Sequence, residues 1–412
     1  MEFNDPADQR AAGPERPSAV SVRELRPDRE SRNGQAGYHR ERAWEVGRES
    51  VPMTGNRTMQ HRRREAPSTV GRGRAVTRKE KPDVNEWTDG TIHVFLGDSL
   101  DHYASWLTPT VIISDGGYGV LGFDGDTSDH FGLPAWYEPH VRAWARYSTP
   151  QTTLWFWNSE IGWAAVHPIL ETHGWRYVNA NTWNKGLAHI AGNVNTRKIR
   201  RFPVVTEVCV QYVLEARVQG LSLKEWLAKE WKRTGLPFRK ANGACGVADV
   251  ATRKYLDQSH LWYFPPPEMF CRLQEYANKH GDPVGRPYFS LNGLRGATAD
   301  EWARMRSKFN CPHGMTNVWD RPPLHGAERV KLNGDSGKAI HLNQKPLDLV
   351  AMVIEASSDP GDVVWEPFGG LFTGCIAARR TERQGYGAEI DPTYFHYGLD
   401  RVRRESSQLH LL

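Results

Sequence analysis

The end of the chain carries the residue pattern with the most specific chemistry. An apolar run, Val363-Val364-Trp365, leads into Glu366-Pro367-Phe368-Gly369-Gly370, and a second run, Tyr386-Gly387-Ala388, ends on Glu389. A glycine-rich turn after a strand lets the backbone approach a ligand. An acid closing the next strand can accept hydrogen bonds from ribose hydroxyls. Asn343-Gln344-Lys345-Pro346 precedes this block, and its proline also suits the first turn of a helix. Far upstream, Asp115-Gly116-Gly117-Tyr118 follows the buried run Val111-Ile112-Ile113. Taken alone, Asp-Gly-Gly after a strand reads as an ordinary turn.

The elements that must hold these residues alternate along the chain. Strands are expected at Thr91 to Leu96, which ends in Gly97-Asp98-Ser99, at Val111 to Ile113 and at Thr152 to Trp157. Helices are expected over 100–107, 135–147 and 160–172. Tyr177 to Trp183 and Pro203 to Val213 read as two further strands, a hairpin at the sheet edge. The rhythm resumes at 338, with a small-residue helix from Thr373 to Ala378, and lasts to about 405. Such alternation implies an α/β fold, a doubly wound and mostly parallel sheet covered on both faces. Between about 216 and 335 it gives way to short helices, loops and Pro265-Pro266-Pro267, an inserted and mainly helical module. The expected organisation is a tail over 1–86, one half of the main domain over 87–215, the insert over 216–337 and the other half over 338–412.

Charge is uneven. Residues 1–80 hold 17 Lys and Arg against 12 Asp and Glu, which accounts for the whole net charge of +5 and leaves the remainder neutral. Any nucleic-acid surface on the folded part is therefore local. The tail is poor in aliphatics and contains Arg62-Arg63-Arg64 and Gly71-Arg72-Gly73-Arg74. It cannot bury enough apolar surface to offset backbone ordering, so disorder is expected. It reads either as a basic arm on phosphates or as a tail without a role, including an extension upstream of a true start at Met53 or Met59. The five cysteines, at 209, 245, 271, 311 and 375, show no zinc spacing. They read as reduced thiols of a cytoplasmic protein, with no metal site. No apolar run of membrane-spanning length and no apolar signal core is present.

Together these motifs resemble the S-adenosylmethionine-dependent DNA amino-methyltransferases, which modify adenine N6 or cytosine N4. The order matches the family's beta-type arrangement, with the catalytic turn first, the insert next, and the methionine-side motif and glycine turn last. The resemblance covers about 91–215 and 338–405. It implies a Rossmann-like methyltransferase domain with an inserted DNA-recognition module. It implies that Asp115 and the carbonyl of Gly116 accept hydrogen bonds from the target amine, beside Gly117, and that Tyr118 stacks on the extruded base. No strong base is needed, because orientation and charge stabilisation suffice. Phe368, Gly369 and Gly370 would underlie the cofactor, together with Glu366 and Pro367. Glu389 would hold its ribose and Asp98 its adenine amine. Asn343, Gln344, Lys345 and Pro346 would wall the methionine end.

Two motifs depart from the family pattern. Gly116 and Gly117 stand where the family has two prolines, at an ordering cost of roughly 1 kcal/mol per residue. They would permit a positive φ or a closer approach of the base. Glu366 replaces an aspartate, and Phe372 stands where a second glycine is expected, with Gly374 two residues later.

The DNA-facing candidates are more local. Trp183-Asn184-Lys185 is similar to the family's Trp-x-Lys beside the base pocket, and a sheet-edge tryptophan is the plainer reading. Arg197, Arg200 and Arg201 form a basic cluster suited to phosphates. Residues 244–256 resemble a helix–turn–helix whose second helix begins near Asp249 and offers Thr252, Arg253 and Lys254 to DNA. Both basic groups also fit a solvated charged face. The leading expectation is a site-specific adenine-N6 methyltransferase acting on double-stranded DNA in a restriction-modification system, with a separately encoded endonuclease. Cytosine N4 and a catalytically inactive DNA-binding relative remain as alternatives.

Overall fold

Short apolar runs build one large sheet in this computed structural model, which describes residues 84–121, 126–187, 200–283, 285–331, 337–341 and 343–409. The expected tail and Arg197 lie outside the described residues, apart from the last few positions of the tail. In chain order the strands are β1 (Glu86–Thr88), β2 (Ile92–Leu96), β3 (Val111–Ser114), β4 (Thr153–Asn158), β5 (Trp175–Asn184) and β6 (Thr206–Leu214). A small hairpin follows, β7 (Arg217–Val218) and β8 (Leu221–Ser222). Then come β9 (Val318–Asp320), β10 (Val363–Glu366) and β11 (Gln384–Glu389). The helices are α1 (Leu133–Tyr147), α2 (Glu160–Thr172), α3 (Leu223–Arg233), α4 (Lys240–Cys245), α5 (Pro267–His280), α6 (Ala299–Ala303), α7 (Leu347–Ser357), α8 (Thr373–Arg380) and α9 (Pro392–Leu409).

The sheet runs β1-β2-β11-β10-β3-β4-β6-β5-β9, and β2, β11, β10, β3 and β4 are mutually parallel. Successive side chains of a strand point to opposite faces, so the central strands must be apolar throughout. Ile112, Leu154 and Phe156 pack on one face with Tyr137, Val141 and Trp144 of α1 and Val166 and Leu170 of α2. Val111, Ile113 and Trp155 pack on the other with Val350, Val353 and Ile354 of α7. α8 and α9 close that face over Ile92 and Val94. The sheet is thus doubly wound, as the alternation of elements implied.

One expectation needs correction. β5 and β6 pair antiparallel, but β5 is not an edge strand, because Val318–Asp320 adds beside it in parallel as β9. The Trp183 indole donates to the Arg321 carbonyl at 2.6 Å, which fastens that added strand.

Residues 216–305 gather a hydrophobic core of their own around Trp226, Trp231, Phe270 and Trp302. Phe270 and Trp302 stack with ring centroids 4.2 Å apart. Glu230 is buried in this core, yet its carboxylate meets Arg233, Arg286 and the Phe289 amide at 2.6–2.9 Å. A buried charge is tolerable only when paired in this way.

Candidate active site

β2, β11, β10 and β3 lie side by side and parallel, so their carboxyl ends open along one rim of the sheet. From β10 the chain winds through α8 to β11, and from β3 it winds the opposite way through α1 to β4. The reversal between β10 and β3 is where doubly wound sheets form a crevice. A cavity of about 360 Å³ occupies it, lined by Asp98, Asp115, Gly116, Phe368 to Gly370 and Glu389 from the strand ends. Trp136 and His140 of α1 form another wall, and Asn343, Gln344 and Lys345 a third. Its volume is within the range of small-molecule sites.

The Phe368 ring is central to this wall. Its centroid lies 5.1 Å from Trp136 and 4.9 Å from His140. A Cβ on Gly116 would stand 2.7 Å from that ring and 2.8 Å from the Tyr137 hydroxyl. The glycine at 116 is therefore needed for close approach, and what approaches is Phe368. Neither Gly116 nor Gly117 has a positive φ, contrary to one reading of the glycine pair. The turn is not loose either: the Gly117 carbonyl accepts Tyr137 Oη at 3.1 Å and Asn158 Nδ2 at 2.9 Å.

Glu366 lines the cavity, but both its carboxylate oxygens are turned to α8. They accept the amides of Gly374 at 2.7 Å and Cys375 at 2.8 Å, capping the helix N-terminus. Burial pushes this carboxyl up to about 7, against the pull of those two amides. A Cβ on Gly374 would meet the Glu366 carboxylate at 2.9 Å, so the longer acid and the shifted glycine belong together. Glu366 therefore holds the turn in shape while it lines the cavity.

Phe372 departs for a related reason. It has φ +54°, the left-handed region that favours glycine, at a cost on the order of 1–2 kcal/mol. Its ring is fully buried against Phe395, and Cβ atoms on Gly387 and Gly398 would strike it. Burying a phenylalanine is worth about 2–3 kcal/mol, enough to offset the strain. The ring leaves the cavity open, because Leu371 and Thr373 line it instead.

Glu389 accepts Gly370 N at 2.6 Å and Asp391 N at 2.8 Å, one on each oxygen, and lines the cavity beside them. Burial raises its carboxyl above the ordinary range while the amides hold it back. Asp98 caps the short turn Ser99–Asp101 through Leu100 N at 2.9 Å. Burial holds His140 down to about 4, with Asp98 opposing, so its ring is neutral near pH 7. Its Nδ1 is 3.0 Å from Tyr103 Oη, which accepts Trp144 Nε1 at 2.9 Å.

A chain of charges reaches the turn at Asp115 to Tyr118. Lys345 Nζ lies 2.7 Å from Asp115 and 3.4 Å from Glu207, and Glu207 pairs in turn with Lys185. Tyr118 Oη donates to Asp115 at 3.0 Å and accepts from Lys345 at 3.1 Å. Burial alone would lower the Lys345 ammonium, but Asp115 and Glu207 raise it above the lysine range. Burial alone would raise Glu207, but Lys345 and Lys185 hold it below the carboxylate range. A second, smaller cavity meets the first at Asp115 and Gly116 and is lined by Tyr118, Val120, Asp126 and His341.

Sequence reasoning placed Lys345 with the cofactor wall and overlooked its partner Glu207, the sole charge in the apolar strand Thr206–Leu214. That isolation was the available signal. Tyr137, Asn158 and His341 carried none, since only packing brings them to the turn.

The DNA-facing candidates fare unevenly. The Lys185 side chain is only 11% exposed and is turned to Glu207, so it is not a free phosphate contact. Arg200 and Arg201 are exposed before β6. α4 and the left-handed Gly246 form the expected helix and turn, but the second helix is a single π-helical stretch, Ala251–Tyr255. A helical segment thus follows the turn near Asp249 as expected, but it is one short π-helical turn. Thr252 is tied down through its amide to Asn242 at 2.9 Å and its hydroxyl to the Phe238 carbonyl. Ala251, Tyr255 and Leu256 are sunk in the core of the insert. Lys254 and Arg253 are exposed, the latter 3.0 Å from Asp249.

Among the described residues no cluster of His, Cys, Asp and Glu fits a metal ion, and no helix is long and apolar enough to cross a membrane. The profile of a family described as DNA methylase, the N6 and N4 methyltransferases, matches residues 111–399. DNA adenine methyltransferase YhdJ of Escherichia coli (strain K12) is 41% identical over 86 residues, 21% of this chain and 27% of that protein. Type II methyltransferase M1.MboII of Moraxella bovis is 31% identical over 116 residues, 27% of this chain and 44% of that protein. The chain thus spans less than half the length of either relative. Among solved structures, the M1.HpyAVI–SAM complex aligns over 76% of this chain and 98% of that one, at 17% identity and a TM-score of 0.41.

Proposed function

This chain belongs to the DNA methylase family of N6 and N4 enzymes, and on that footing we propose that it methylates an exocyclic amine of double-stranded DNA with S-adenosylmethionine as donor. The observation that carries this reading is the meeting of two cavities at Asp115 and Gly116. The first has the volume of a nucleoside-bearing cofactor, and the second, about 60 Å³, opens beside Asp115 at the side from which an extruded base would approach.

The first cavity suits the cofactor in its chemistry. Phe368, Trp136 and neutral His140 offer an aromatic wall to a purine. Asp98 is placed for the adenine amine and Glu389, on its remaining lone pairs, for ribose hydroxyls. Gly369 and Gly370 let the backbone come close, and Asn343, Gln344 and Lys345 line the wall suited to the methionine end, with Pro346 behind them at the start of α7. When bound, the cofactor supplies a methyl group already activated on a sulfonium.

The chain's own residues then orient the target. A base cannot offer its amine inside a duplex, so it is extruded. Asp115 and the Gly116 carbonyl accept the two N–H groups and aim the nitrogen lone pair toward the first cavity. A carboxylate has about four acceptor positions, so the Lys345 and Tyr118 contacts leave capacity for the amine. The Tyr118 ring serves as a stacking face, fixed through its hydroxyl. Arg200, Arg201, Arg253 and Lys254 are exposed and suited to phosphates.

Adenine N6 is the preferred target, supported by an aspartate at the head of the turn and by the name of YhdJ. The likeness to a type II methyltransferase supports a role as the modification half of a restriction-modification pair, with the endonuclease on a separate chain. The test is to methylate DNA, digest it to nucleosides and weigh them. N6-methyladenine is expected; N4-methylcytosine alone reverses the choice of base. No methylated base together with no cofactor binding at millimolar concentration favours an inactive relative.

A further inference from the structure

Glu207 has no part of its own in the proposed reaction, yet it is built into the site beside Lys345 and the Tyr118 hydroxyl, which lies 3.5 Å from one of its oxygens. It projects from β6 with its side chain only 16% exposed, and its two oxygens take Lys185 on one side and Lys345 on the other. Lys345 is 5% exposed and stands 2.7 Å from Asp115. An ammonium so close to Asp115 works against the chemistry. In the transfer, the amine lone pair forms the new N–C bond while the electrons of the C–S bond stay on sulfur. Positive charge therefore passes to the amine nitrogen until one N–H proton is lost to solvent. Asp115 steadies that charge only to the extent that its own is not already cancelled.

We propose that Glu207 is a positioning residue that shares the Lys345 ammonium with Asp115, leaving the Asp115 carboxylate negative toward the incoming amine. Lys185 balances the far side of Glu207, and Trp183 carries Lys185 over its ring at 4.8 Å. The site thus keeps a cation that shapes the cofactor wall without neutralising its catalytic acid. This inference rests on the amine-methylation reading.

The test uses the full chain and the variants Glu207→Gln, Glu207→Asp and Glu207→Gln/Lys345→Met. In Glu207→Gln, the single-turnover rate is expected to fall about thirtyfold. Cofactor Kd, KM for DNA and the 2-aminopurine fluorescence of an extruded base should each stay within about twofold. Glu207→Asp should recover most of the rate. The double variant should be about tenfold faster than Glu207→Gln, because the uncompensated ammonium is gone. Independently of activity, the titration midpoint of Lys345 followed by lysine 13Cε NMR should drop in Glu207→Gln. An active wild type whose Lys345 midpoint is unmoved in Glu207→Gln overturns charge sharing alone. So does a rate loss matched by lost cofactor affinity or base extrusion, or a double variant slower than either parent. A wild type that transfers no methyl group overturns the parent reading and the catalytic role of Glu207 with it.

Discussion

The Gly116 Cα sits against the Phe368 ring so closely that a Cβ there would stand 2.7 Å from it. Gly116→Ala must therefore push the ring or tilt the turn. The expected result is a loss of cofactor affinity of about tenfold by calorimetry, with little change in unfolding temperature. Adding Phe368→Leu makes room and should restore part of the affinity. Unchanged affinity in Gly116→Ala would show that the ring moves freely.

Phe372 trades backbone strain for burial. Phe372→Gly relieves the left-handed φ, but it empties a fully buried site. Truncating a buried phenylalanine costs about 3–5 kcal/mol, and the relieved strain returns about 1–2 kcal/mol. Net destabilisation of about 2–3 kcal/mol in urea unfolding is expected. Cofactor affinity should hold, since the ring does not line the cavity. A more stable variant would mean that burial does not outweigh strain here.

The ion chain sets a pH window. Glu207 lies below the ordinary carboxylate range in the folded state, so its contribution is complete above the unfolded glutamate value and is lost as pH falls through the lowered one. Lys345 lies above the lysine range, so its contribution is complete below the unfolded lysine value and is lost as pH rises through the raised one. Between about pH 5 and 10 the contribution is flat. Glu207→Gln should be less stable than wild type by about 3 kcal/mol at pH 7. Urea unfolding should show that difference shrinking toward pH 3, and a constant difference would contradict the pairing.

Arg253 is exposed and shares only a surface ion pair with Asp249, so it is available to a phosphate. Arg253→Ala should weaken DNA binding severalfold and reduce the salt slope by about one, with no change in cofactor affinity. An unchanged slope in a salt titration would remove Arg253 from the DNA surface.

Much of this architecture was legible in the residues. Val111-Ile112-Ile113 and Val363-Val364-Trp365 announced buried parallel strands, because only a strand covered on both faces is apolar at every position. The acids and glycines at the ends of those strands then had to share one rim. What stayed hidden depends on long-range packing. The partnership of Lys345 with Glu207 joins the loop before α7 to a strand far away in sequence, and no periodicity encodes it. The role of Glu366 as a helix cap follows from one extra methylene and a glycine eight residues later. β9 was missed because Val318–Asp320 is too short to show a pattern. The π-helical stretch at Ala251–Tyr255 arises where Asn242 and the core of the insert pull the backbone in.

The central claim is that the two cavities meet at Asp115 to methylate a DNA amine. The most direct test measures cofactor affinity and transfer of an isotope-labelled methyl group to DNA in wild type and Asp115→Ala together. The prediction is labelled N6-methyladenine from wild type, at least a thousandfold less from Asp115→Ala, and cofactor affinity within about threefold in both. Equal loss of transfer and cofactor binding would make Asp115 structural. Undiminished transfer would place the chemistry elsewhere.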